Sequence, residues 1–148
     1  MNIEDCRLVI KLDGKINVAD IRALTRIDRL HINESIEECA ANIAFYGALH
    51  GKTKAMCEKQ EWQVKRTRSE KDLEIRRSHQ NASVSKITQA NIESMVETDS
   101  DVVDANESYY KLRNNELLLY NFLHALISMK DLLITLSANL RSEQKLDS

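Results

Sequence analysis

Apolar positions recur at three- and four-residue spacing over most of the chain, which is the mark of amphipathic helices. The spacing predicts a short helix over 3–12, closed by Asp13-Gly14 with Gly14 suited to a left-handed cap. A second helical pattern covers 18–30, with Ala19, Ala23, Ile27 and Leu30 on one side. His31-Ile32-Asn33 predicts a break, with Asn33 as the N-cap of the next helix. From Glu34 to about Ser78 no strong breaker intervenes. Gly47 and Gly51 each weaken a helix by roughly 1 kcal/mol relative to Ala, without ending it. The first half of this helix is apolar (Ile36, Cys39, Ile43, Phe45, Tyr46, Leu49, Met56). The second half, 58–77, has only Trp62, Val64, Leu73 and Ile75, so it is either solvated or faces a charged partner.

The polar run 79–85 reads as a loop, and Thr88 as the N-cap of a short helix over 89–98. Asp99-Ser100-Asp101 then opens a long helix to about Glu143. The pattern predicts one helical domain over 1–148. It comprises N-terminal helices (1–31), a long basic helix (33–78), a loop with a short helix (79–100) and a long apolar helix (101–143). The fold class is all-α, a long antiparallel helical hairpin.

The last helix carries more than one apolar stripe. A heptad row reads Ala105, Leu112, Leu119, Leu126, Leu133, Leu140, and a second reads Leu118, Phe122, Ala125, Met129, Leu132, Leu136. Leu117, Tyr120, Ile127 and Ile134 occupy the remaining face. One hairpin partner covers one stripe, so a helix apolar nearly all round needs further cover. Self-association through this helix is the economical source. The alternative is that the N-terminal helices fold back over it. Asn121, His124, Lys130 and Asp131 within 117–136 argue for a protein-buried helix over a membrane span.

Composition agrees with long helices: no Pro, three Gly and 5% aromatic residues disfavour folds built on many tight turns. Three widely spaced cysteines suggest no disulfide framework, and a reducing cytoplasm fits them. The start MNIEDCRLVIKLDGK lacks the basic leader and apolar core of a signal peptide. With Gly only at 14, 47 and 51 there is no Gly-rich phosphate loop. The four histidines are scattered, without metal-ligand spacing, and no nucleophile stands beside a base. The chain reads as non-enzymatic, without metal or cofactor.

Charge changes the picture. Residues 52–77 hold nine basic residues against five acids, a local charge of +4, in a chain whose net charge is −2. The remainder therefore carries −6, and 93–107 alone holds six acids and no base. This polarity has two readings. The basic arm can pair with the acidic arm, as exposed charged helix faces commonly do. Alternatively it can track phosphates, since Lys52, Lys59 and Arg66 are seven apart on one face and Trp62 sits among Lys59, Lys65 and Arg66. Single strands are held by such combinations of backbone cations and an aromatic plane under a base.

A family resemblance bears on this choice. The stretch Ile32-Asn33-Glu34-Ser35-Ile36-Glu37-Glu38-Cys39-Ala40-Ala41-Asn42-Ile43-Ala44-Phe45-Tyr46 is followed by the Lys/Arg-alternating helix to Arg77. Then come Lys86-Ile87-Thr88, the opening Asp99-Ser100-Asp101-Val102, and the ending Leu136-Ser137-Ala138-Asn139-Leu140-Arg141-Ser142-Glu143. Together, over about 32–143, they resemble the UvsY-type recombination mediators of tailed bacteriophages and prophages. The resemblance implies a non-enzymatic helical homo-oligomer in the host cytoplasm. It would bind single-stranded DNA, loosen the single-strand-binding protein and help a RecA-like recombinase load. It further implies DNA contacts from Lys52, Lys54, Lys59, Lys65, Arg66 and Arg68, beside Trp62, and assembly through the C-terminal helix. The competing reading is a coiled-coil assembly or chaperone-like phage protein that does not bind DNA.

Overall fold

The computed structural model describes residues 7–12, 15–28, 30–81 and 87–146. The elements are β1 (Arg7–Leu12), β2 (Lys15–Asp20), α1 (Ile21–Leu24), α2 (Ile32–Asn81), α3 (Gln89–Thr98) and α4 (Ser100–Leu146). The two long helices, α2 and α4, pack against each other as the arms of a helical hairpin, so the all-α class holds.

The N-terminal segment departs from expectation. Residues 7–12 form a strand, not a helix, and pair antiparallel with β2 in the register Arg7↔Asp20, Val9↔Val18, Leu12↔Lys15. β-branched Val9, Ile10, Ile16 and Val18 favour a pleated backbone over a helical one. The Asp-Gly pair separating the two runs is the strongest short hairpin signal in a sequence. The expected left-handed cap at Gly14 lies outside the described residues. The helix expected over 18–30 shrinks to the single turn of α1, because Val18–Asp20 belong to β2. Asp20 ends the strand and caps that turn, its carboxylate accepting from the Ala23 amide at 3.1 Å.

α2 begins at Ile32, so Asn33 is inside the helix and not its cap. The His31 carbonyl accepts the first helical bond, from the Ser35 amide at 3.0 Å. At its other end α2 continues through Asn81, three residues into the stretch expected as loop over 79–85; 82–85 lie outside the described residues. Thr88 caps α3 as expected, its hydroxyl accepting from the Asn91 amide at 3.3 Å. Asp99 opens α4 by accepting from the Asp101 amide at 2.9 Å.

The chain divides into two compact units, each receiving a portion of both long helices. The first comprises Met1–Thr53 with Asn115–Ser148. Its core is a heptad seam. Ile32, Cys39, Tyr46 and Thr53 are buried on α2, and Leu119, Leu126 and Leu133 are fully buried on α4. The Tyr46 ring meets the Phe122 edge at 4.8 Å, and the Cys39 thiol donates to the Leu126 carbonyl at 3.3 Å. Pairs 39–126, 46–122 and 50–116 run in opposite senses along the two helices, which fixes them antiparallel. Burial pushes the Cys39 thiol and the Tyr46 phenol up from their ordinary values. By length and composition alone, α4 is the one described helix able to cross a membrane.

The second unit, Lys54–Asn114, is held differently. Its apolar cluster is small: Ile92 and Val96 of α3 and Val102 of α4, flanked by Ile75 and Ile87. Cys57 and Val64 of α2 are also buried in this unit, and ion pairs join α2 to α3 and to the start of α4.

Candidate nucleic-acid interface

The basic part of α2 lies almost wholly in the second unit, and its cations divide by helix face. Trp62, Arg66, Ser69 and Leu73 are spaced 4, 3 and 4 residues apart, so they form one stripe. All four are exposed, Trp62 by 59% and Leu73 by 50%. The Arg66 guanidinium sits 5.7 Å from the centre of the Trp62 ring, and its Nε donates to Glu70 at 2.7 Å. The guanidinium therefore bridges an aromatic face and a carboxylate, both on its own helix. Lys65 is paired within the helix too, donating to Glu61 at 2.6 Å. Among the described residues, Lys54 and Lys59 are exposed and enter no ion pair. Lys52 belongs to the first unit and is exposed there.

Arg68 and Lys71 project to the other side, toward α3 and the start of α4. Arg68 Nη2 donates to Glu97 at 2.7 Å. Lys71 Nζ lies 2.9 Å from Asp101, 3.4 Å from Asp99 and 3.4 Å from Glu74. The Asp101 contact, reinforced by Glu74 and Asp99, holds the Lys71 ammonium far above its ordinary value despite partial burial. Arg76 grips Asp72 through two bonds, at 2.7 and 3.2 Å, and keeps that carboxyl below the usual range. Both sequence readings of the charge therefore have a physical counterpart. The acidic arm captures Arg68 and Lys71, while Lys54, Lys59, Trp62 and Arg66 face solvent. Arg68 is the member of the expected DNA-binding set that the acidic arm engages, through Glu97 of α3.

Periodicity alone missed a groove between α2 and α3. It is open to solvent and measures about 490 Å³, with Leu73 and Val96 as its apolar part and Arg68, Ser69, Asp72, Glu93 and Glu97 around them. Nothing in the linear sequence joins residues 68–73 to 93–97. Only the turn back through α3 does. The Arg68 Nε within this region is buried and makes no hydrogen bond.

The residues expected to drive assembly divide as well. Leu119, Phe122, Leu126 and Leu133 are buried by the chain itself, so they serve its own seam and do not offer themselves to a second copy. Leu112, Met129 and Leu136 are half-buried, and Leu140 is exposed. The apolar surface left open on α4 of the first unit is instead Leu117, Tyr120, Leu132 and Ile134, each about half exposed. The sequence carried that signal as the faces left over beside the heptad row. No family model, curated protein or solved structure matches the chain.

Proposed function

We propose that this chain is a non-enzymatic, self-associating protein that binds single-stranded DNA through the outer face of α2 in its second unit. On this reading it acts as a recombination mediator of the UvsY type in the cytoplasm of a phage-bearing host. It would help a RecA-like recombinase load onto DNA covered by single-strand-binding protein. The observation that carries the reading is Trp62. A large aromatic side chain left 59% exposed on a helix with little core offers a stacking plane, and Lys59 and Arg66 flank it on the same side. Base–aromatic stacking contributes roughly 1–3 kcal/mol per base and tolerates any sequence. Several copies joined through Leu117, Tyr120, Leu132 and Ile134 would repeat this weak site at high effective concentration. Glu116, Asn121, Lys130 and Asp131 within or beside the apolar stretch of α4 favour burial in protein over insertion in lipid.

The test is binding of a fluorescein-labelled oligonucleotide, read by anisotropy across a salt series. Affinity should fall steeply with salt. Trp62→Ala should weaken it roughly tenfold, the scale of one stacked base. Lys59→Ala with Arg66→Ala should lower the salt slope by roughly 0.7 for each phosphate no longer neutralised. Absence of binding at low salt would remove the reading.

The second reading, a structural assembly protein, is favoured by the ion pairs of Arg68 with Glu97 and Lys71 with Asp99 and Asp101. It predicts self-association without any oligonucleotide binding.

A further inference from the structure

The groove between α2 and α3 continues the stripe that starts at Trp62. Ser69 and Leu73, the third and fourth members of that stripe, are also part of the groove. Leu73 lies eleven residues beyond Trp62, roughly 16 Å along the helix axis. A strand stacked on Trp62 and running along α2 would therefore reach the groove within a few nucleotides.

The polar groups specify what fits. Glu97 is committed to Arg68, and Asp72 to Arg76, so those charges are largely balanced. Glu93 has a neutral partner, the Gln89 side-chain amide at 2.9 Å, which leaves further lone pairs on its carboxylate. An ionised carboxylate only accepts hydrogen bonds. Beside apolar Leu73 and Val96 it selects a flat, partly apolar group that carries a donor pair. An exocyclic amine on a nucleobase meets that description, as when Glu or Asp accepts from cytosine N4. Uracil presents a carbonyl oxygen at the equivalent position, which a carboxylate repels.

We propose that the α2–α3 groove is a nucleobase site that takes an amine-bearing base, cytosine in preference to uracil, from a strand stacked on Trp62. The site rests on the single-strand reading and adds a base preference that stacking does not supply. Its test compares labelled oligo-dC and oligo-dU of equal length on the full chain at low salt. Oligo-dC should bind roughly tenfold tighter, the scale of one hydrogen bond to a charged group. Glu93→Ala should bring the two affinities together by weakening oligo-dC. Glu107→Ala, which removes an exposed acid of α4 paired to Lys111, should leave the preference intact. Circular dichroism checks that both variants keep their helices. Equal binding of both oligonucleotides by the native chain overturns the base site. So does a preference that survives Glu93→Ala or disappears in Glu107→Ala. If both bind equally and Trp62→Ala weakens both, only the base site falls. If neither binds, the single-strand reading falls with it.

Discussion

His50 on α2 and Glu116 on α4 meet at 3.0 Å inside the seam of the first unit, their side chains 18% and 9% exposed. The pair sits between buried Tyr46 and Thr53 on α2 and beside fully buried Leu119 on α4, so it is a polar contact within the seam. A buried pair of this kind adds little net stability, but removing one partner leaves the other desolvated and short of a hydrogen bond. Glu116→Ala should therefore destabilise the chain by about 1–3 kcal/mol. The double replacement of His50 and Glu116 by Leu should cost less than either single change, or nothing. Urea denaturation of the three variants checks this non-additivity.

Core residues and the proposed assembly residues should separate by mutation. Leu126 is fully buried and its carbonyl accepts the Cys39 thiol, so Leu126→Ala should destabilise the monomer by about 2–5 kcal/mol. Leu117 and Ile134 are 49% and 47% exposed, so Leu117→Glu with Ile134→Glu should leave helicity and unfolding midpoint nearly unchanged. The same double variant should sediment as smaller species in analytical ultracentrifugation. An unchanged mass distribution would mean that these side chains do not join copies.

Acid should loosen the second unit before the first. The carboxyls of Asp72 and Glu61 are held below their ordinary values by Arg76 and Lys65 respectively. A group whose pKa is lowered by folding stabilises the fold above its unfolded value, and that contribution is lost as pH falls through the folded one. The window is at and below about pH 4, where unperturbed carboxyls titrate. Lys71 has the opposite sign: its raised value keeps its contribution in place well into alkali. Lys71 with Asp99 and Asp101, and Arg68 with Glu97, tie α2 to α3 and α4 within the same unit. Amide exchange should show Ile92 and Val96 losing protection on acidification while Leu126 and Leu133 keep theirs. Simultaneous loss in both units would show that ion pairs do not hold the second one.

Gly47 and Gly51 lie inside α2, where a Cβ would meet no atom within 4 Å. Each Gly→Ala change should stabilise the chain by about 0.5–1 kcal/mol through lower unfolded-state entropy and better helix propensity. Thermal unfolding reads this directly. A destabilising Gly→Ala would show that this face of α2 is covered in the assembled state.

The helical hairpin was legible in residue order because its signals are local. Thr88 and Asp99 are caps whose partners lie two or three residues away, and the Leu119–Leu126–Leu133 row repeats at the seam spacing itself. The N-terminal strands were not legible in the same way, since the apolar spacing of 3–12 and of 18–30 also suits a helix. The competing signal, β-branched runs flanking Asp-Gly, prevailed once cross-strand pairing could form. Residue order also determined the basic segment and its Trp. It could not determine which cations stay open to solvent, because Arg68 and Lys71 find acids 29 and 30 residues away only after α3 folds back. The choice between a leucine row that joins copies and one that closes the chain on itself was likewise a tertiary matter. Periodicity says which residues share a face, and only packing says what that face meets: here α2 of the same chain, with Leu117, Tyr120, Leu132 and Ile134 left outside.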